Sequence, residues 1–160
     1  MFKFYRIRFF PLKKRSSRPY KYEALVGIGG NEGNVKKTFV RLLRLWQNDR
    51  RLHVEKTSFV LENPPFGYLE QANFFNALIR VKTSLSAKSF LKLLLHTEKI
   101  FGRKRSFKNA PRTLDLDIIF FNFKEQRDER LVLPHPFWHE RASILAPLAF
   151  SRMQKINLYG

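Results

Sequence analysis

Cysteine is missing from all 160 residues, so the chain has neither a disulfide framework nor thiolate chemistry. Its four scattered histidines fit no zinc-binding spacing. Acids are scarce too: 13 Asp and Glu stand against 31 Lys and Arg, for a net charge of +18. Such an excess attracts anions without choosing among nucleotide phosphates, nucleic acid and anionic lipid. No apolar run is long enough to cross a bilayer as a helix, and the chain reads as soluble.

What is there suits a packed core. Hydrophobic residues make up 44% of the chain, Phe alone accounts for 17 positions, and the length fits one domain. The charge is unevenly spread, since residues 1–22 hold eight Lys or Arg and no acid, leaving +10 for the remainder. There Arg6 and Arg8 alternate with Ile7 and Phe9 as in a short edge strand, although an acid-free, Arg-rich start also suits a transit peptide or a start-site extension. Residues 1–22 are therefore expected to form a basic N-terminal appendage, peripheral to a single domain over 23–160.

Residues 24–28 (ALVGI) read as a buried strand ended by Gly29 and Gly30. The following GIGGNEGN lacks the P-loop Lys and the full dinucleotide fingerprint, so spacing favours a strand-to-helix turn over a phosphate cradle. A helix is expected from Asn34 as N-cap to Gln47, with Phe39, Leu42, Leu43 and Trp46 at helical spacing. Residues 54–61 read as a strand with Val54, Phe59 and Leu61 in the core, and 62–73 as a Pro-rich loop. Another strand over 74–81 carries Asn76 in an apolar setting, where an amide needs a partner in the backbone or in a ligand. Ser86 can cap a helix through Lys99, and its Glu98 sits near the C-terminal end, where the helix dipole disfavours an anion. Strands joined by the Pro-rich loop and helices between strands give an α+β, ferredoxin-like fold: a mixed or antiparallel sheet in α/β/α layers.

The chemistry concentrates in residues 102–121, GRKRSFKNAPRTLDLDIIFF. Arg103, Arg105 and Arg112 lie on a loop that runs into a strand bearing Asp115 and Asp117. Two residues apart on an extended backbone, the two carboxylates leave one face, while Leu114, Leu116 and Ile118 leave the other. Like charges so placed need a cation, either the arginines or a hard divalent ion. Magnesium needs only one or two protein carboxylates when the ligand brings phosphates. A lone D-x-D is more often a salt-bridge partner, but the flanking arginines shift the balance.

Several blocks together resemble the 6-hydroxymethyl-7,8-dihydropterin pyrophosphokinase family of folate biosynthesis: GGNEGN, NPPFGYLEQANFFNALI, E-x-x-x-G-R-x-R from Glu98 to Arg105, PRTLDLDII and LPHPFWHER. The resemblance implies transfer of pyrophosphate from ATP to the pterin hydroxymethyl group, leaving AMP. It implies two magnesium ions on Asp115 and Asp117, with Arg103 and Arg112 as catalytic-loop arginines. It assigns Glu98, Arg105, Ile118, Arg130, His135 and Arg141 to the ATP side, and Asn63, Pro64, Pro65, Phe66, Gly67, Phe74 and Asn76 to the pterin side. Ser143 stands where the family commonly has a second stacking aromatic, and Asn109 where an aromatic packs on the substrates. Residues 63–73 and 103–111 are expected to close over the substrates. The family points to the bacterial cytoplasm. A basic RNA-binding module would account for +18 with nucleic acid held only by charge, but it leaves the paired carboxylates unexplained.

Overall fold

An antiparallel sheet backed by two amphipathic helices makes up the described part of the chain. The computed structural model describes residues 3–16, 18–65, 67–104, 106–122, 126–127, 131–133 and 135. In order these form β1 (Lys3–Tyr5), β2 (Leu12–Lys13), β3 (Tyr22–Gly30), α1 (Val35–Gln47), β4 (Leu52–Thr57), β5 (Val60–Asn63), β6 (Phe74–Thr83), α2 (Ala87–Ile100) and β7 (Asp115–Phe121). A short hairpin of β8 (Gln126–Arg127) and β9 (Val132–Leu133) follows.

Strand β3 lies between β6 and β7, and the outer edge of β6 pairs first with β5 and then with β4, every pairing antiparallel. With one helix after β3 and another after β6, the fold is α+β and the strand order is the expected ferredoxin-like one. Both helices begin where side chains satisfy free backbone N–H groups: Asn34 accepts from Lys37 N and Ser86 from Ser89 N. Their apolar stripes, Phe39, Leu42, Leu43 and Trp46 on α1 and Phe90, Leu93 and Leu94 on α2, share one core with Ala24, Val26 and Ile28 of β3. Both helices thus cover the same sheet face. A short closing helix expected over 139–150 (HERASILAPLAF) lies outside the described residues.

Three boundaries differ from expectation. Strand β3 does not end at Gly29 but continues through Gly30, its glycines being paired with β6 throughout. The single strand expected over 54–61 is two, interrupted at Ser58 and Phe59. There the Ser58 Oγ accepts the Leu78 N–H at 2.8 Å in place of a ladder bond, and Val60 rather than Phe59 enters the core. The third is the N-terminus, which is no peripheral appendage. β1 pairs with β5 and β2 with β4, and Phe10 is fully buried with its ring 5.8 Å from that of Phe39. Residues 6–9, expected to be a strand, instead form the turn between them, bridged from Ile7 to Phe10. A hydrophobic anchor every few residues outweighs the charge between them.

Candidate active site

The sheet face turned away from the helices gathers the residues of interest at one end. In β7, Leu116 and Ile118 point into the core and are 5% and 4% exposed, so Asp115 and Asp117 point the other way and are half-buried. Gly29 of β3 pairs with Asp115 on one side and with Asn76 of β6 on the other. A side chain at Gly29 would meet Asn76 Oδ1 at 2.6 Å, so Asn76 projects from this same face. With strands about 4.8 Å apart, Asn76 and Asp115 stand on strands roughly 10 Å apart, and Gly29 between them is a floor with no side chain of its own, overhung by the Asn76 amide oxygen. Gly27 pairs with Asp117, but there the Ile119 side chain packs over the glycine, its Cδ1 3.2 Å from where a Cβ would lie.

On the β6 side, Asn76 Nδ2 donates to Asn63 Oδ1 at 2.5 Å, and Phe74, two residues before Asn76, shares its face. The Arg112 guanidinium lies over the Phe74 ring, 5.0 Å from its centre. On the β7 side, Arg103 Nη1 donates to both Glu98 Oε2, at 2.5 Å, and Asp115 Oδ1, at 2.6 Å. Arg112 Nη1 stands 3.8 Å from Asp115 Oδ2. Glu98 is 3% exposed and also accepts the Leu116 N–H at 2.9 Å. Burial pushes the Glu98 carboxyl above its ordinary range, against the pull of that N–H and of Arg103, with Asp115 pushing the same way as burial. The awkward helix-end acid thus anchors α2, the loop and β7 at one point.

The backbone of the arginine loop is held just as firmly. Asn31, directly after β3, donates from Nδ2 to Gln71 Oε1 and to the Ala72 carbonyl, and accepts the Arg112 N–H at 3.0 Å on Oδ1. Arg112 O in turn accepts the Asn31 and Glu32 N–H groups. Gly30 permits this approach, since a Cβ there would lie 2.7 Å from Thr113 O. Gln71 Nε2 reaches across to Asn109 O at 3.0 Å, and Tyr68 meets Phe107 edge-on with ring centres 5.3 Å apart. The two loops therefore touch above the glycine floor. Arg112 Nε and Thr113 Oγ1 are buried polar atoms without a hydrogen-bond partner. Unsatisfied donors beside a carboxylate pair suit an oxygen-rich anion that arrives with its own cation.

Residues 25–152 match the model of the 7,8-dihydro-6-hydroxymethylpterin-pyrophosphokinase (HPPK) family. The chain belongs to this family. It is 45% identical to the 2-amino-4-hydroxy-6-hydroxymethyldihydropteridine pyrophosphokinase of Campylobacter jejuni, over 91% of this chain and 92% of that protein. It is 43% identical to the Helicobacter pylori protein of the same name, over 91% of each chain. A mitochondrial folate synthesis bifunctional protein of Arabidopsis thaliana is 34% identical over 80% of this chain and 23% of its own length. The coverage with the two bacterial pyrophosphokinases is too high to leave out all of the first 22 residues, in keeping with their place in the sheet.

Of the residues that the sequence singled out, Glu98, Arg103, Arg112, Asp115, Asn63, Phe74 and Asn76 come together at this end of the sheet. Asp117 lies one step further along the same face, and Gly67 abuts the Asn109 side chain. Asn63 Nδ2 donates to the Pro64 carbonyl, which starts the loop that continues through Pro65. The Ile118 side chain is in the core on the opposite face and does not join the cluster. His135 donates its backbone N–H to Ile119 O at 2.8 Å, beside β7. Phe66, Arg105, Arg130, Arg141 and Ser143 lie outside the described residues. Sequence reasoning missed Asn31 and Gln71, although both stand inside the quoted blocks; their partners are distant in the chain and have no periodic signal.

Proposed function

We infer that this pyrophosphokinase transfers the terminal pyrophosphate of ATP to the hydroxymethyl group of 6-hydroxymethyl-7,8-dihydropterin, in a magnesium-dependent step of folate synthesis in the bacterial cytoplasm. The observation that carries this reading is the glycine floor at Gly29 between the amide of Asn76 and the carboxylate of Asp115, with Asp117 one step further along the same face. An amide-edged heterocycle at one side and phosphates at the other would place the reacting groups between them. The hydroxymethyl oxygen attacks the β-phosphorus, the bond from that phosphorus to the oxygen shared with the α-phosphate breaks, AMP departs, and the hydroxyl proton is released.

The donor set fits the implied ions: two carboxylates on one strand face, with no cluster of three acidic or imidazole ligands among the described residues, leave most coordination positions to phosphate and water. Asp115 and Asp117 would hold two magnesium ions, which supply neutralisation of phosphate charge and polarisation of the reacting phosphorus. Asp115 must then exchange its bond from Arg103 for the cation, which frees a planar guanidinium for a phosphate oxygen. Arg112 already stands between Phe74 and Asp115, so it can leave the ring for the phosphates as the pterin takes its place over Phe74. Asn76 and Asn63 would read the edge of the heterocycle, and the contacting loops exclude water.

The test is AMP formation from ATP and magnesium, with and without the reduced hydroxymethylpterin, using the intact chain and Asp117→Ala. Pterin-dependent AMP in the parent and its loss in the variant are expected. AMP formation that ignores the pterin, or substantial turnover by Asp117→Ala, would refute the assignment.

A further inference from the structure

Opposite the active-site face, the N-terminal strand is bonded to both ends of the pterin-side loop. Tyr5 Oη donates to Glu62 Oε1 at 2.7 Å, and Asn73 Nδ2 donates to Glu62 Oε2 at 3.1 Å. One carboxylate therefore joins three elements: β1, the end of β5 from which the loop leaves, and the loop's last residue. Glu62 immediately precedes Asn63, and Asn73 immediately precedes Phe74. The bridge thus sits one residue from each of the two side chains that frame the Asn76 amide. The Tyr5 ring is itself fixed, with Lys36 Nζ of α1 3.5 Å from its centre and Phe75 meeting it edge-on at 6.0 Å. β1 also pairs in register with β5, Lys3 opposite Glu62 and Tyr5 opposite Val60.

We propose that Tyr5, through Glu62 and Asn73, is a positioning residue for the pterin pocket: Asn63 and Phe74 are paired in the β5–β6 ladder, and the N-terminal strand ties the loop's last residue, Asn73, to that pair. The argument is one of geometry. Alternation along a strand puts Glu62 and Asn63 on opposite faces, so a pull on one reorients the other. Two hydrogen bonds to separate oxygens of one carboxylate fix its plane, and with it the place of Asn73, where the loop rejoins the sheet. The hydrogen bonds from Tyr5 and Asn73, helped by the charges of Lys3 and Lys36, hold the Glu62 carboxyl below its ordinary range against its partial desolvation and favour its ionised, acceptor-only form. Tyr5 touches no substrate. Its effect should appear in pterin binding and in the order of residues 67–73, with nucleotide binding unmoved.

This rests on the pterin reading of the site, so the experiment uses two independent measurements on the full chain. Tyr5→Phe keeps the ring, the Lys36 contact and the Phe75 contact and removes only the hydroxyl. Amide hydrogen exchange in residues 67–73 should become roughly 3- to 10-fold faster, the loss expected for one hydrogen bond, and pterin affinity should fall by a similar factor at unchanged ATP affinity. In a Glu62→Ala background, adding Tyr5→Phe should change neither quantity, because both changes break the same bridge. Unchanged exchange in Tyr5→Phe overturns the proposal. So does faster exchange with pterin affinity unmoved, or an equal additional loss in the Glu62→Ala background. If the parent chain binds no pterin, the functional reading fails, while the exchange measurement still decides whether the bridge orders the loop.

Discussion

Removing Arg103 should destabilise the protein in a way that depends on pH. In the native fold its Nη1 is shared between Glu98 and Asp115, and the Arg103 side chain is 14% exposed. Arg103→Ala takes that guanidinium from Glu98, which is 3% exposed and still accepts the Leu116 N–H. Breaking a buried pair from one side costs about 3–5 kcal/mol, because the remaining charge stays desolvated. For a domain of this size that corresponds to roughly 6–20 °C in Tm. Burial already raises the Glu98 carboxyl, and loss of the guanidinium raises it further. A carboxyl whose pKa is higher folded than unfolded holds its proton more tightly in the native state. The destabilisation is therefore smallest below the unfolded value of about 4.3 and grows as pH rises through the folded one. The assay is thermal unfolding of parent and variant from pH 4.5 to 8, with Arg103→Ala/Glu98→Gln alongside. The Tm gap should widen towards pH 8, and Glu98→Gln should close most of it by removing the buried charge. A gap that is constant with pH, or that the double variant leaves intact, would refute the buried-pair account and assign Arg103 to the loop alone.

Two further outcomes follow from the packing. Phe10→Ala should cost about 3–5 kcal/mol, the usual range for deleting a buried Phe, because the ring has no exposed surface and touches Phe39. Denaturant unfolding checks this, and a loss below about 1 kcal/mol would return the N-terminal segment to a peripheral role. Asn31→Ala removes the bonds to Gln71, Ala72 and Arg112 together. With one orphaned donor worth about 1–3 kcal/mol, pterin affinity should fall on the order of tenfold or more in an equilibrium titration. An affinity within twofold of the parent would show that the loops find their places without this tether.

How much of this was legible depends on the range of the interaction. The helix over 35–47 could be read from Asn34 and its apolar spacing, and the carboxylate face of β7 from the alternation of Leu114, Asp115, Leu116 and Asp117, because both are local periodicities. The break at Ser58 and Phe59 was not legible: the residues there have strand propensity, and only the Ser58 to Leu78 bond across the sheet reveals the irregularity. The N-terminal segment was misjudged because its charge density is conspicuous, whereas the burial of Phe10 depends on a partner on α1, 29 positions later. Asn31 looked like part of a turn because the bond that gives it a purpose is to Arg112, 81 residues away. Motif resemblance supplied the residues that chemistry selects, but not the tethers that position them.

Those tethers explain why the site sits on this face of the sheet. A strand with a period of two lets one segment serve two ends: in β7, Leu116 and Ile118 secure the core while Asp115 and Asp117 face outward. In β6, Phe75 packs towards the helices while Phe74 and Asn76 look the other way. β3 contributes Val26 and Ile28 to the core and, on the alternate face, Gly29 to the floor and Gly27 to the packing under Ile119. A residue larger than glycine at 29 would collide with Asn76 and divide the floor between the amide and the carboxylates. Replacing that glycine should therefore harm substrate binding more than folding, since the clash lies with a side chain on the site's own face and the core on the opposite face is untouched. The same alternation gives the N-terminal strand its reach, because it grips Glu62 from the helix side while Asn63, the next residue, faces the pocket.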